Sequence, residues 1–330
     1  MINYACGAII GALVGDAVGA TLEFLGRQPT DEEVEQALSM AGGGVFGLAP
    51  GQVTDDGELS LALLQALVGE NSYPALPVAK NYRLWFLSEP FDIGYATTSA
   101  LEEGPVDSPL LLDIIQRNAA LHNSASKANG SLMRISPLGV WASRVSIEDA
   151  VDAARQDASL THPNLSCQWA AAAYVVAIRH LMLNRGDHMG SIETAKRMLA
   201  SEKQCQFDSQ TADGAEEVEH WMDDAIEGNL PALHPQAGYV RIAFTHAFYH
   251  LYRATPYVES IRSTLRGGGD TDTNACIVGG LTGALHGIDA IPGEMLSAVL
   301  QCDVRQGRIR PTWLRTQQLS THLSKLMGVI

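Results

Sequence analysis

The chain has 330 residues and a formal net charge of −15, because 37 acidic side chains outnumber 22 basic ones. Such an excess of acid disfavours binding to the phosphates of nucleic acids and to anionic membrane surfaces. Hydrophobic residues make up 46% of the chain, which is enough to build a large core and excludes a disordered protein.

Apolar residues recur with the period of an α-helix, as Leu59, Leu63, Leu64 and Leu67 illustrate. In chain order, the predicted helices are Ala5 to Phe24, a segment starting near Glu58, Gln168 to Asn184, Ser191 to Ser201, Ala215 to Glu227, Val240 to Ala254, Asn274 to Gly287 and Trp313 to Met327. Alternating strand patterns with hairpin turns are nearly absent. The sequence therefore predicts an all-α protein in which residues 1–330 form a single domain.

The cysteines and the N-terminal segment bear on localisation. An odd, dispersed set of cysteines indicates reduced thiols; they are Cys6, Cys167, Cys205, Cys276 and Cys302. The apolar opening lacks the positive charge of a signal peptide, since the first basic residue is Arg27. No apolar run reaches the length needed to cross a bilayer. We therefore expect a cytoplasmic protein with no membrane partner.

Two acidic clusters lie at predicted helix entrances. They are Thr54-Asp55-Asp56, before the helix near Glu58, and Asp270-Thr271-Asp272-Thr273, which follows three glycines and precedes the helix near Asn274. Helix capping is the simpler interpretation, because Asp and Thr are favoured there. Each cluster, however, carries two carboxylates and at least one hydroxyl, more than one cap needs.

A shared metal site is the second interpretation of these clusters. Four carboxylates packed together repel one another unless cations lie between them. Oxygen ligands without His or Cys suit Mg²⁺ or Mn²⁺ rather than Zn²⁺. Two such metals would form a hydrolytic centre and would also let an acidic protein bind an anionic substrate. Spacing alone leaves both interpretations open.

Five segments carry a resemblance to a known family. They are GALVGDAVGATLEF at 11–24, VTDDGE at 53–58, SKANGSLMRISPLG at 126–139, THP at 161–163 and RGGGDTDTN at 266–274. In this order they resemble the ADP-ribosylglycohydrolases of the dinitrogenase reductase-activating type, over about residues 4 to 293. The resemblance implies an all-α orthogonal helical bundle with two divalent cations, Mg²⁺ or Mn²⁺.

The resemblance also implies roles for individual residues. The implied metal ligands are Thr54, Asp55, Asp56, Asp270, Asp272 and Thr273, with Asp272 bridging. Glu23 is expected to gate the site or contact substrate, whereas Asp16 is expected to hold helices together by hydrogen bonds. The implied substrate-binding residues are Ser126, Asn129, Gly130, Ser131, Met133, His162, Gly268 and Gly269. Tyr239 is a weaker candidate.

Some positions also fit simpler structural roles or depart from the family. The loop from Ser126 to Arg134 could be only a tight turn, and His162 only a histidine at a helix entry. Lys127 and Ala128 differ from the commoner residues of the phosphate-contacting loop. Gly57 stands where many relatives carry Thr or Ser, so a hydroxyl is lost beside two implied ligands.

The implied reaction is hydrolysis at the anomeric carbon of the distal ribose. The implied substrate is an ADP-ribosylated protein, with an arginine N-glycosidic linkage favoured over a serine O-linkage, and ADP-ribose is released. Asp55, Asp56 or Glu23 would move the proton. Three alternatives remain: immunity against an ADP-ribosylating toxin, by erasing the modification or by binding the toxin; a catalytically silent structural role; and release of ADP-ribose from nucleic acid or small acyl derivatives.

Overall fold

The computed structural model describes residues 2–205 and 209–326, and these residues form α-helices and no β-strand. The helices are α1 (Ile2–Gly19), α2 (Asp31–Leu38), α3 (Asp55–Leu67), α4 (Ala75–Leu87), α5 (Tyr95–Leu101), α6 (Leu111–Asn123), α7 (Ser136–Trp141), α8 (Ile147–Ser159), α9 (Leu165–Leu183), α10 (His188–Cys205), α11 (Ser209–Glu227), α12 (Val240–Tyr252), α13 (Tyr257–Gly267), α14 (Thr271–His286), α15 (Gly293–Leu300) and α16 (Leu319–Leu326). The all-α prediction is confirmed.

The last predicted helix, Trp313 to Met327, is only partly correct. Two 3-10 turns, Thr312–Leu314 and Thr316–Gln318, precede α16, and Met327 lies outside the described residues. Several short helices escaped the prediction because they have too few turns to show a period. One of them, α2, nevertheless carries a readable start signal. Thr30 accepts a hydrogen bond from the Glu33 amide, and Glu33 accepts one from the Thr30 amide.

Helices α1 and α14 pack with their backbones in direct contact. Four glycines of α1, spaced by four residues, lie on the face that meets α14; they are Gly7, Gly11, Gly15 and Gly19. A Cβ atom added at Gly15 would lie 2.1 Å from the carbonyl oxygen of Ala275, a separation that real Cβ atoms do not adopt. The pairing places the end of α1 beside the start of α14.

Helix α1 is long and apolar enough to span a membrane by composition, and 78% of it is buried inside the protein. It belongs to a hydrophobic cluster that also draws on α3, α9, α12, α14 and α16. This shared core favours a single domain over residues 1–330, which stays a prediction. The cysteines whose side chains are described, Cys6, Cys167, Cys276 and Cys302, are free thiols.

Candidate active site

A cleft with a volume of about 400 Å³ opens where four segments of the chain meet. Its acidic end is formed by the segment that follows α1, the entrances of α3 and α14, and the loop between α4 and α5. The acidic lining residues are Glu23, Asp55, Asp92, Asp270 and Asp272. The opposite wall is built from the loop before α7 and the residue His162. The volume lies within the range typical of small-molecule sites.

Asp16, in the middle of α1, holds the entrance of α3 in place. Its carboxylate accepts hydrogen bonds from the backbone amide of Thr54 at 3.1 and 3.0 Å, from the Thr54 hydroxyl at 2.8 Å and from the Gly57 amide at 2.8 Å. Its predicted helix-linking role is confirmed. A Cβ atom at Gly57 would lie 2.7 Å from Asp16 Oδ2, so in this chain Gly57 provides the space that Asp16 occupies.

The α3 entrance does not follow the capping interpretation. Thr54 is the N-cap residue, yet its side chain makes no capping bond to the helix, because its hydroxyl donates to Asp16. Asp55 faces the cleft, and Asp56 lies behind it, fully buried. Asp56 Oδ2 lies 3.2 Å from the Thr54 hydroxyl oxygen and 3.5 Å from that of Thr273, whereas its buried Oδ1 has no hydrogen-bond partner.

The α14 entrance presents its acids in a similar way. Asp270 is the N-cap residue and makes no capping bond. Its Oδ2 instead accepts hydrogen bonds from the Asn129 side-chain amide at 2.8 Å and the Gly238 backbone amide at 2.9 Å. Asp272 Oδ1 accepts from the Thr273 amide at 2.8 Å. The preceding turn needs glycine, since Gly269 has φ +76° and a Cβ there would meet the Leu233 carbonyl oxygen at 2.2 Å.

Asp92 is an acid of the cleft that the sequence interpretation missed. It lies in the loop between α4 and α5, and each of Glu23, Asp92 and Asp272 offers an oxygen such that all three lie within 4.8 Å of one another. One buried oxygen of Glu23 has no hydrogen-bond partner. No motif surrounds Asp92 in the sequence, so only its position in the fold identifies it.

Burial and mutual repulsion raise the pKa values of these acids. Removal from water is the largest cause throughout, and the charges of neighbouring carboxylates add to it. The pKa of Glu23 rises to about 8, that of Asp92 to about 6, and those of Asp55, Asp56 and Asp272 lie well above their usual range. Positive charge beside the cluster would favour its ionised form.

The donor set fits hard divalent cations. All of the converging side chains offer oxygen atoms, which Mg²⁺ and Mn²⁺ prefer. The unpartnered Oδ1 of Asp56 is an orphaned buried carboxylate atom of the kind that a cation would satisfy. Six residues of the two entrances could hold the cations, namely Thr54, Asp55, Asp56, Asp270, Asp272 and Thr273. Their role as ligands stays a prediction.

The wall opposite the acids is made largely of small residues and backbone. Ser126, Ala128, Asn129, Gly130 and Met133 line it. Hydrogen bonds from the Asn129 amide to the Gly238 carbonyl and from the Val240 amide to the Lys127 carbonyl, both 2.9 Å long, tie this loop to the segment before α12. Small side chains at this wall would let a diphosphate approach the backbone closely.

Three predicted substrate contacts are not among the lining residues of the cleft. Ser131 is fully buried and its hydroxyl has no partner, and Gly268 and Gly269 shape the turn that leads into α14. Tyr239 packs edge-on against Trp221 with ring centres 6.1 Å apart. The Lys127 ammonium group pairs with Glu217 at 2.6 Å and so faces α11. The other predicted contacts, Ser126, Asn129, Gly130, Met133 and His162, meet at the cleft.

Comparisons with known proteins agree with this geometry. The family model described as ADP-ribosylglycohydrolase matches residues 2–325. The chain is 27% identical to the ADP-ribosyl-[dinitrogen reductase] glycohydrolase of Rhodospirillum rubrum, over 89% of both chains. It is 28% identical to the ADP-ribosylarginine hydrolase Tri1 of Pseudomonas putida (strain GB-1), over 90% of this chain and 74% of that protein.

The fold also matches a solved structure. An ADP-ribosylglycohydrolase-related protein complex superposes with a TM-score of 0.70 at 24% sequence identity, covering 99% of this chain and 98% of that one. At this level of identity the likeness concerns the fold alone. Together with the family match, it accounts for the helical architecture that surrounds the acidic cleft.

Proposed function

The chain belongs to the ADP-ribosylglycohydrolase family, and from this premise we propose that it hydrolyses ADP-ribose from modified protein side chains. The observation that carries the proposal is the convergence of Glu23, Asp55, Asp92, Asp270 and Asp272 at one end of a cleft. The opposite wall offers backbone and small side chains where a diphosphate could lie. An acidic end for the reacting ribose and a wall for the phosphates suit ADP-ribose.

Metal dependence is part of the proposal, and the family is in general metal-dependent. Thr54, Asp55 and Asp56 from one helix entrance, and Asp270, Asp272 and Thr273 from the other, would hold two divalent cations, Mg²⁺ or Mn²⁺. When bound, such cations polarise ribose hydroxyls and lower the pKa of water. Asp16 contributes indirectly, because it fixes the turn that carries Thr54 and Asp55.

The chain's own residues must also move one proton. In the reaction the anomeric carbon loses its bond to the side-chain nitrogen and gains a bond to the oxygen of water. The water gives up a proton, and the leaving nitrogen takes one. Glu23 and Asp92 line the cleft beside Asp272, so their carboxyl groups could give or take this proton. The cleft geometry thus adds Asp92 to the acids expected from sequence, Glu23, Asp55 and Asp56.

An arginine N-glycosidic linkage is the linkage that we propose. Support comes from the Pseudomonas putida relative, whose name describes an ADP-ribosylarginine hydrolase. Fold-level likeness does not fix a substrate, so this part depends on analogy with that relative. A protein partner bearing ADP-ribose, rather than nucleic acid, also agrees with the net charge of −15.

The test is to incubate the protein with arginine-, serine- and nucleic-acid-linked ADP-ribose in Mg²⁺ or Mn²⁺ and to measure free ADP-ribose. We expect release from the arginine linkage, and its loss in EDTA and in Asp55→Ala or Asp272→Ala. Asp152→Ala is the control, because Asp152 is an exposed acid on α8.

Each result decides a separate part of the proposal. Full activity in EDTA would contradict the metal requirement, and release only from the serine linkage would change the substrate. Failure on all three substrates would favour a catalytically silent family member.

A further inference from the structure

His162 presents an unpartnered ring nitrogen at the cleft. The side chain is 1% exposed, and the edge of the imidazole that carries Cε1 and Nε2 lies against Gly130. Both residues line the cleft. Among the residues that the structure describes, none makes a hydrogen bond to Nε2, whereas Nδ1 lies 2.8 Å from the hydroxyl oxygen of Thr161. Whether Nε2 donates or accepts therefore depends on the proton at Nδ1.

Arg134 determines the orientation of the Thr161 hydroxyl, which in turn determines where the His162 ring carries its proton. Its guanidinium is completely buried and binds Asp157 through Nε at 3.1 Å and through Nη2, which donates to the Asp157 carbonyl at 2.9 Å. Its Nη1 donates to the Gly130 carbonyl at 3.3 Å and to the Thr161 hydroxyl oxygen at 2.8 Å. A guanidinium group can only donate, so the Thr161 oxygen must accept.

Thr161 then has one hydroxyl hydrogen left to place. The residue is fully buried, and in the described part of the chain the only other polar atom bonded to its hydroxyl is His162 Nδ1. If Nδ1 carried a proton, the Thr161 oxygen would receive two donors and its own hydrogen would be buried without an acceptor, which is costly. With Nδ1 unprotonated, the Thr161 hydroxyl donates its hydrogen to Nδ1 while its oxygen accepts from Arg134 Nη1.

A doubly protonated imidazole is also disfavoured. Burial, followed by the nearby positive charge of Arg134, lowers the pKa of His162 to about 3. The ring is therefore neutral at the pH values of ordinary assays. A neutral imidazole with a lone pair at Nδ1 carries its proton on Nε2.

We propose that Arg134 and Thr161 are positioning residues that hold His162 as the neutral Nε2–H tautomer, so that Nε2 donates a hydrogen bond to an oxygen of bound ADP-ribose. The ligand in this inference rests on the proposed function, whereas the tautomer does not. The device supplies a fixed donor that does not depend on pH. It also gives a role to the fully buried guanidinium of Arg134 beneath this loop.

The tautomer is tested by nitrogen–proton correlation spectra of the histidine rings in ¹⁵N-labelled protein. The His162 signals are assigned from their loss in His162→Gln. We expect an unprotonated Nδ1 and a protonated Nε2, and a mixed or Nδ1-protonated ring in Thr161→Val. Thr161→Ser keeps the hydroxyl and should restore the wild-type pattern. A protonated Nδ1 in the wild-type protein would overturn the inference, even if Thr161→Val failed to fold.

The ligand part is tested by titrating ADP-ribose into the same proteins by calorimetry. We expect Thr161→Val to weaken binding roughly tenfold, as loss of one good hydrogen bond does. Thr264→Val is the matched control, because it removes a buried hydroxyl from α13 without touching the cleft. Equal weakening in Thr264→Val would overturn the positioning role. A wild-type protein with the expected tautomer but no affinity for ADP-ribose would overturn the proposed function instead.

Discussion

Asp92 shares the acidic end of the cleft with Glu23 and Asp272, and it is not part of either helix entrance. Its loop between α4 and α5 brings a carboxylate to the cleft from a third direction. Its oxygen lies within 4.8 Å of oxygens of Glu23 and Asp272, where a carboxylate could bind a cation or exchange a proton with water. At the scale of single residues it is therefore the most direct test of the proton transfer.

We expect Asp92→Asn to lower kcat about 100-fold, which is a usual contribution from a general acid or base. The affinity for ADP-ribose should change much less, because the amide keeps the size of the side chain. Single-turnover release of ADP-ribose and calorimetric binding would measure the two effects, with the exposed Asp152→Asn as control. An unchanged kcat in Asp92→Asn would remove it from the mechanism.

The sequence predicted some of these residues well and others not at all. Asp55, Asp56, Asp270 and Asp272 belong to dense acidic motifs at helix entrances, and helix entrances converge in this fold. Asp92 stands alone between two helices, so nothing local marks it. A residue next to a cleft residue need not line the cleft itself. Ser131 directly follows Gly130, yet it is fully buried and is not part of the cleft lining.

At the scale of elements, the contact between α1 and α14 fixes the distance between the two halves of the acidic cluster. Asp16 lies on α1 and Glu23 follows that helix, whereas Asp272 lies in the first turn of α14. The glycine backbones touch along this interface, so no flexible side chain lies between the helices to make room for an added atom. The addition of one methyl group at this interface should therefore change the spacing of the acids in the cleft.

We expect Gly15→Ala to destabilise the protein by about 3 kcal/mol, the upper end of the range for overpacked cores. The added Cβ would lie 2.1 Å from the Ala275 carbonyl oxygen, so α1 and α14 must separate. Urea unfolding would measure the loss, and Mn²⁺ titration would report the accompanying weakening of metal binding. Gly293→Ala is the control, since its Cβ would meet no atom within 4 Å. Equal stability of the two variants would contradict this account.

The four-residue spacing of glycines in α1 is visible in the sequence and is typical of a close helix contact. Gly279 and Gly283 of α14 repeat this spacing, but α14 lies far along the chain, so the sequence does not say that the two helices pair. A periodic pattern indicates that one face of a helix is buried, whereas only the fold shows which helix packs against that face.

At the scale of the whole molecule, Arg310 joins the C-terminal segment to α3 and to the end of α4. It pairs with Glu58 on α3 at 2.7 and 2.8 Å and donates to the Ser88 carbonyl at 2.9 Å and the Glu89 carbonyl at 3.2 Å. Glu58 lies two residues after Asp56, and Glu89 three residues before Asp92. One buried guanidinium therefore links two acid-bearing segments.

We expect Arg310→Ala to lower the free energy of unfolding by about 3 to 5 kcal/mol, because it leaves the Glu58 carboxylate buried without its partner. Arg305→Ala, which removes an exposed pair with Asp303, should cost much less, because water screens that pair. Chemical denaturation of both variants measures the difference. Similar losses of unfolding free energy in the two variants would show that burial does not make the Arg310–Glu58 pair more stabilising than an exposed pair.

The acidic cluster should also make the metal-free protein less stable as the pH rises. In the folded chain the pKa of Asp16 is raised to about 7 and that of Glu23 to about 8, mainly by burial. Between about pH 6.5 and 8 the unfolded chain has already lost these protons and the folded chain gives them up at a cost. The stability that the raised pKa values confer at low pH is lost across this window.

Thermal unfolding in EDTA at the two ends of that window tests this expectation, and we expect the lower Tm at the higher pH. His162 and His250, with pKa values of about 3 and 4 in the folded chain, act in the opposite direction, and mainly below the unfolded His pKa of about 6.5 at the lower edge of the window. Glu23→Gln should reduce the slope, and saturating Mn²⁺ should flatten it. A Tm that rises with pH in EDTA would contradict the assigned direction of these pKa shifts.

The contact between α1 and α14 also has a consequence for synthesis of the chain. The Thr271 hydroxyl donates to the Gly19 carbonyl across 252 positions of sequence. A ribosome therefore releases the apolar α1 first and completes its partner only near the end of translation. Until then the glycine face of α1 lacks its partner, so assembly of the cleft is a late event in the folding of the chain.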